Sequence, residues 1–163
     1  MVSHHYECGA CCTSMVLKYY GYHTSLEDIR VELGLGRDGV KLHNIKKFFE
    51  EKNFNVNAYK VNINGLTKLN LPAILAWKNN HYVVLESISN KYMTIIDPNI
   101  GRIKMQFNDV RNKFENYVLC LNPNEKFKKK KNKTNIGFKY INIICQRKKD
   151  IGILFFTSIT YYI

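Results

Sequence analysis

The chain has 163 residues and a formal net charge of +12, with 45% hydrophobic and 13% aromatic residues. It is long enough for one domain with a substantial core, and its 9 glycines and 3 prolines exclude collagen-like and low-complexity proteins. Its 5 cysteines are too few for a disulfide scaffold, and the odd number leaves at least one thiol in a monomer. The first residues lack the apolar run of a signal peptide, so we predict a reducing, cytosolic location.

The positive charge is concentrated near the carboxyl end. Residues 121–163 contain ten lysines and arginines against two acidic residues, whereas residues 1–120 contain fifteen against eleven. The run at 126–133 is typical of a solvated basic segment. We therefore predict a folded domain over 1–122 and a basic linker over 123–150.

The last thirteen residues, 151–163, carry no charge. They are too short to span a bilayer, which takes about 20 residues as a helix. We interpret them as the start of a transmembrane helix that is cut off, with Arg147, Lys148 and Lys149 on the cytoplasmic side. The alternative is a terminal strand or helix that packs on the domain.

Helical periodicity comes first along the chain. Apolar residues at positions 8, 11, 12, 15, 16, 19 and 20 form one stripe of a helix that we expect to end at Gly21. Ser25 followed by Asp28 resembles a capped start for a second helix, which ends near Gly34. Apolar residues between Leu42 and Phe49 predict a third helix.

The period changes towards two after residue 54. The pattern predicts strands at 54–62, 72–77, 81–88, 91–96, 102–107 and 117–121, with a short helix at 108–114. Helices followed by an antiparallel meander favour the α+β class.

Cys8 is the candidate nucleophile because it begins the first predicted helix. There the helix dipole and unpaired backbone N–H groups favour the thiolate, and the same N–H groups can hold an oxyanion. The neighbouring Gly9 allows close backbone approach to a substrate or simply tight packing. An inert buried cysteine is the structural alternative.

His81 and Asp97 are the candidate base and orienting acid. His81 begins one predicted strand, and Asp97 lies at the end of the following strand. Because Asp97 also precedes Pro98, the alternative for Asp97 is a turn-forming role. If the two strands pair as a hairpin, both side chains lie at the same end. That placement suits a Cys-His-Asp relay.

Several sequence blocks then carry a family resemblance. A Glu-Cys-Gly-x-x-Cys block precedes an apolar helix ending in Tyr-Tyr-Gly, and matches continue downstream. The blocks are Glu7-Cys8-Gly9-Ala10-Cys11-Cys12, Tyr19-Tyr20-Gly21, Arg37-Asp38-Gly39, Asn80-His81-Tyr82-Val83-Val84-Leu85 and Asp97-Pro98-Asn99-Ile100-Gly101. Over roughly residues 3–121 the chain resembles peptidase family C39, the N-terminal peptidase domains of bacteriocin-processing ABC exporters.

The resemblance implies a papain-like α+β fold and a cysteine endopeptidase that cuts a leader peptide after Gly-Gly on the cytoplasmic face of the bacterial membrane. It implies Cys8 as nucleophile, His81 as general base and acid, and Asp97 as orienting acid, without a cofactor or metal. The expected partners are the precursor peptide and the transmembrane and ATPase parts of an exporter, in cis or in trans. The sequence given contains no Walker phosphate loop.

One position departs from the family pattern. Val2 stands where the family usually has a glutamine whose side chain completes the oxyanion hole, and valine has no donor. Loss of one such donor typically reduces the rate about 10²–10³-fold. A docking module that binds leader peptides without cutting them is therefore the alternative function.

Other site classes fit the sequence less well. Cys8 and Cys11 form a C-x-x-C pair, but a thioredoxin-like site needs a preceding strand, and residues 1–7 leave little room. A zinc site lacks a second ligand pair of matching spacing. The lysine run at 128–131 lacks the interleaved aromatic residues of a nucleic-acid site, so we expect no nucleic-acid partner.

Overall fold

Three α-helices precede the sheet in the part of the chain that the computed structural model describes, residues 5–131. A 3₁₀ helix, His5–Glu7, leads into α1 (Cys8–Tyr19), which is followed by α2 (Leu26–Leu33) and α3 (Leu42–Glu51). Ser25 caps α2 as predicted, because its hydroxyl oxygen accepts a 3.0 Å hydrogen bond from the Asp28 N–H. Gly34 ends that helix in the left-handed conformation, with φ of 62°.

Six antiparallel strands follow, with one further α-helix between the last two. The elements are β1 (Phe54–Lys60), a 3₁₀ helix (Ile63–Lys68), β2 (Ala73–Trp77), β3 (His81–Ile88), β4 (Tyr92–Asp97), β5 (Gly101–Gln106), α4 (Phe107–Lys113) and β6 (Phe114–Pro123). Each strand pairs in one sheet of order β1-β6-β2-β3-β4-β5. The predicted α+β class is confirmed, but the meander covers only β2 to β5, since β6 inserts between β1 and β2.

Alternating residues of the central strands divide the core between two faces of the sheet. Ile74, Val84 and Leu119 join the cluster under α1, α2 and α3. Leu75, Val83 and Val118 face the other way, with residues of α4 and the second 3₁₀ helix. Both faces of β2 are therefore covered, and all five of its residues are buried. This two-sided burial fixes the register of the strands that carry His81 and Asp97.

Helix α1 is buried on more of its surface than the predicted stripe. Ala10, Thr13 and Leu17, which lie off the stripe, are inaccessible to solvent, whereas Tyr19 on the stripe is 63% exposed. The helix packs against α2, α3 and β3, so nearly its whole first half is enclosed. Such a central position makes the amino end of α1 a fixed point of the domain.

The folded unit extends beyond the predicted domain boundary at residue 122. It runs to Lys131, and the segment after β6 returns to the loop between α1 and α2. There the His23 N–H donates to Lys130 O at 2.8 Å, and the Phe127 ring packs against Phe54 with centroids 4.8 Å apart. Residues 123–131, predicted as linker, are thus partly a strap on the domain.

The remaining linker residues and the apolar run at 151–163 lie outside the described residues, as does Val2. Within residues 5–131, no helix is both long and apolar enough to cross a bilayer.

Phe127 is expected to stabilise the domain through this strap. We expect Phe127→Ala to lower the free energy of unfolding by about 1–2 kcal/mol, since its ring is only half-buried. Urea unfolding of the full chain, followed by the fluorescence of its single tryptophan, measures the change. The control is Lys128→Ala at an exposed neighbouring position. Equal stability of the two variants would contradict a structural role for the strap.

Candidate active site

Cys8 occupies the first position of α1, directly after the 3₁₀ turn. The backbone N–H groups in the first turn of a helix have no hydrogen-bond partner within the helix. In α1 these groups lie at the end of the helix that carries the Cys8 thiol. The preceding Glu7 pairs with Arg30 of α2 at 2.7 Å. This ion pair connects the residue before α1 to α2 and so helps to hold the neighbouring Cys8 in position.

Burial dominates the electrostatics of Cys8. The side chain is only 5% exposed, and this burial raises the pKa of the Cys8 thiol above its ordinary value. Backbone N–H groups of Tyr82, Gly9 and Cys8 itself lower the pKa, but by less, and the Asp97 charge raises it further. The predicted influence of the N–H groups is therefore present, but desolvation outweighs it and the net shift of the pKa is upward.

His81 and Asp97 form a hydrogen-bonded pair at one end of the β3–β4 hairpin. The antiparallel register pairs Val84 with Ile96, which brings the start of β3 beside the end of β4. His81 Nε2 lies 3.1 Å from Asp97 Oδ1. The predicted hairpin geometry is confirmed.

The Asp97 carboxylate is itself held in place. Its side chain is 3% exposed, and Oδ1 also accepts a 2.8 Å hydrogen bond from the Asn99 N–H. An ionised carboxylate only accepts hydrogen bonds, so Nε2 of His81 is the donor when Asp97 carries its charge. In that tautomer the lone pair of the ring is on Nδ1.

The backbone on both sides of His81 contacts the Cys8 thiol. Cys8 Sγ lies 3.8 Å from Asn80 O, and a backbone hydrogen bond from Tyr82 to the same sulfur favours the thiolate. Asn79 and Asn80 form the turn before His81 with φ of 66° and 54°, a left-handed conformation that asparagine tolerates better than most residues. The turn thus delivers the start of β3 to the start of α1.

Gly9 makes this close approach sterically possible. A Cβ atom built at Gly9 would collide with Val40 Cγ1 and would lie 3.3 Å from Tyr82 Cδ2. Of the two roles that the sequence left open, the structure supports tight packing against the protein itself. A side chain here would displace the loop that carries Val40 and would crowd Tyr82 at the start of β3.

A cleft of about 270 Å³ opens beside Cys8. Its walls come from the entry to α1, the loop before α3 and the turn before His81. Gly39 in that loop has φ of 83°, and a Cβ there would lie 3.4 Å from Tyr6 O. Together with Cys8 the cleft is lined by Tyr6, Asp38, Gly39, Val40, Lys41, Asn80 and Tyr82.

Sequence reasoning missed the residues on the other side of His81. Trp77, the cross-strand partner of His81, is buried and its ring centroid lies 6.2 Å from that of His81. Lys113 Nζ lies 5.1 Å from the centre of the Trp77 ring. The spacing could have predicted Trp77, because it precedes His81 across a short turn and so pairs with it. No local feature of the sequence pointed to Lys113.

The other cysteines of the described segment are packing residues. Cys12 is fully buried and its pKa is raised well above the ordinary value by that burial. Cys11 is half-buried on α1, and Cys120 is buried on β6. Among residues 5–131 no three His, Cys, Asp or Glu side chains are grouped as metal ligands.

Comparison with known proteins gives a consistent family. The model of the Peptidase C39 family matches residues 2–126. The lacticin-481/lactococcin-DR transport/processing ATP-binding protein of Lactococcus lactis is 33% identical over 137 residues, which is 81% of this chain and 20% of that protein. The lactococcin-G-processing and transport ATP-binding protein of the same species is 25% identical over 162 residues. The chain spans about a fifth of the length of these curated relatives.

Solved structures agree with this relationship. A double glycine motif protease from an AMS/PCAT transporter, solved in complex with the leader peptide, is 33% identical with a TM-score of 0.69, covering 72% of this chain and 84% of that one. A C39-like domain from Vibrio parahaemolyticus, 19% identical, shares the fold with a TM-score of 0.62 over 72% of this chain and 97% of that one. The predicted papain-like fold is confirmed, and the chain belongs to the peptidase C39 family.

Proposed function

We propose that this chain is a cysteine endopeptidase that cleaves the leader of a bacteriocin-type precursor after a Gly-Gly pair, in a process coupled to ABC-type export. One observation carries the proposal. The Cys8 thiol contacts the backbone on both sides of His81, and the His81 ring is hydrogen-bonded to the buried Asp97. Nucleophile, base and orienting acid thus belong to one rigid junction of helix and hairpin.

The first chemical step begins with proton transfer. Because burial raises the pKa of Cys8, the resting thiol keeps its proton until His81 Nδ1 accepts it. The thiolate sulfur then forms a bond to the carbonyl carbon of the scissile peptide, and the carbonyl electrons move to oxygen. Asp97 stabilises the charged imidazole through Nε2.

The second half of the reaction uses the same groups in reverse. The oxyanion lies at the amino end of α1, where backbone N–H groups can donate to it. His81 returns its proton to the leaving nitrogen, the C–N bond breaks, and the leader remains on Cys8 as a thioester. Water, deprotonated by His81, then hydrolyses the thioester.

The shape of the cleft at Cys8 supports selection of glycine beside the scissile bond. Tyr6 and Tyr82 occupy its walls, and the loop at Gly39 approaches the Tyr6 backbone closely. Residues without side chains pass such a gap most readily. The rest of the leader binds as an amphipathic helix in an apolar groove.

The export context rests on the relatives. The lactococcal proteins are named as transport and processing ATP-binding proteins, and they extend well beyond the matched region. The transmembrane and ATPase parts act with this domain in cis or in trans. The domain then works at the cytoplasmic face of the membrane, and the basic segment 123–150 and the apolar segment 151–163 follow it in the sequence.

A docking module is the second candidate function because of Val2. Where the family usually supplies a glutamine donor for the oxyanion, valine supplies none. Such a module binds the leader in the same cleft and groove but leaves the peptide bond intact.

Cleavage of Gly-Gly leader peptides separates the two functions. We expect the full chain to cut members of a leader library after Gly-Gly. We expect Cys8→Ala to lower the cleavage rate at least about 10³-fold, because the nucleophile is gone. Mass spectrometry of the products identifies the cut bond. Cys120→Ala is the matched control, since it removes a buried thiol on β6, away from the cleft.

Binding without cleavage would favour the docking module. In that case Val2→Gln distinguishes a peptidase that lacks one oxyanion donor from a module that only binds leaders. A gain of about 10²–10³-fold in cleavage would locate the defect in the oxyanion hole. Neither binding nor cleavage of any Gly-Gly leader would contradict both functions.

The pH dependence of Cys8 alkylation tests the role of His81. Burial raises the pKa of the Cys8 thiol, so little thiolate forms near pH 7 unless a base takes the proton. On the proposed function His81 is that base, and its removal leaves the thiol protonated at neutral pH. We therefore expect the rate at pH 7 to fall at least about tenfold in His81→Ala.

Iodoacetamide labelling with peptide mass spectrometry measures the rate at each cysteine. Cys11 is an internal control, because burial raises its pKa too and it is half-buried on the same helix. Its profile is expected to be unchanged by the substitution. Identical Cys8 profiles in both chains would remove His81 from the role of base.

A further inference from the structure

His81 borders a second cleft that Cys8 does not line. This cleft has a volume of about 300 Å³ and is lined by Trp77, Lys78, Asn79, His81 and Lys113. The first cleft is lined by Cys8 and Asn80, and the second by Asn79. Consecutive residues of one turn therefore face different clefts, and His81 follows that turn directly.

The chemistry assigns different parts of a peptide to the two clefts. On the proposed function, the acyl part of the substrate becomes bonded to Cys8 and stays in the first cleft. The leaving nitrogen must receive its proton from His81, so the residues after the scissile bond pass beside the imidazole. The cleft that contacts His81 without Cys8 is the space available to those residues.

Positive charge is fixed at this second cleft. Lys113 Nζ lies over the Trp77 ring at 5.1 Å from its centre, and the Lys78 N–H donates to Lys113 O at 2.8 Å. The two lysines therefore leave the backbone at adjacent points of the rim, and both side chains are exposed.

No carboxylate of residues 5–131 forms an ion pair with either lysine. None of the five lining residues is acidic, whereas the lining of the first cleft combines Asp38 with Lys41. Asp97 lies near but is buried and hydrogen-bonded to His81. A negative charge brought by a ligand would thus meet two lysine side chains that form no ion pair with a carboxylate of residues 5–131.

We propose that this cleft is the leaving-side subsite of the peptidase, and that Lys78 and Lys113 make it select an acidic side chain in the first two residues after the cut. The inference rests on the proposed function and deepens it, because it names the chemical class of the released peptide's amino end. Trp77 holds the Lys113 ammonium by cation–π attraction and separates it from the interior. Lys78 and Lys113 act as specificity-determining residues.

Matched peptides test the charge preference. Three substrates share one leader and Gly-Gly but continue with Asp, Ala or Lys, and kcat/KM is measured for each with the full chain. We expect the Asp peptide to be cut about two- to five-fold faster than the Ala peptide, and the Lys peptide to be slower by a similar factor. Added salt is expected to weaken this preference, since both lysines are exposed.

Charge reversal identifies the residues responsible. We expect Lys113→Glu combined with Lys78→Glu to invert the order of the Asp and Lys peptides, and Lys113→Arg to retain it. Lys104→Glu is the matched control: it makes a charge reversal on exposed strand β5, outside the cleft lining, and is expected to retain the order. A general loss of folding would slow all three peptides alike and so leave their ratio unchanged.

The outcomes separate this inference from the function beneath it. Cleavage of the Ala peptide with no preference between Asp and Lys, or a preference that the double reversal leaves unchanged, overturns the subsite but keeps the peptidase. An equal shift with Lys104→Glu would assign the preference to net charge and also overturn the subsite. Failure to cut the Ala peptide overturns the proposed peptidase and the subsite with it.

Discussion

The close contact between the start of α1 and the start of β3 is the constraint on which the site depends. Gly9 has no Cβ, so the helix backbone packs against Val40 at a distance that a side chain would prevent, and it lies close to Tyr82. The Cys8 sulfur then meets backbone atoms of Asn80 and Tyr82. Because α1 is enclosed by two helices and the sheet, this contact cannot relax independently. The site thus inherits its rigidity from the core.

Burial explains how the same contact shapes reactivity. A thiol in this position gains N–H donors but loses water, and the loss dominates, so its pKa rises. On the proposed function the hairpin compensates with the His81 imidazole, whose Nε2 is hydrogen-bonded to Asp97, and the Asn99 N–H donates to the same carboxylate. Nucleophilicity is therefore a property of the junction between two elements, and neither the helix start nor the hairpin supplies it alone.

Local patterns predicted most elements, because caps and alternation act over a few residues. Ser25 marked the start of α2, and the hairpin placed His81 beside Asp97. The insertion of β6 between β1 and β2 was missed, since strand order depends on contacts distant in sequence. Phe127 was missed because lysines surround it and charge dominates that window. The raised pKa of Cys8 was missed for a related reason: a helix start is visible locally, but desolvation is not.

The turn before His81 borders two different clefts, one lined by Asn80 and the other by Asn79. Asn79 and Asn80 adopt the left-handed conformation in succession, so the chain reverses tightly enough to expose a different cleft on each side of His81. On the proposed function, Tyr6 and Tyr82 wall the acyl side, and Lys78 and Lys113 lie at the leaving side. Selection by shape at the bond and selection by charge beyond it would then be independent, because the two clefts share no lining residue.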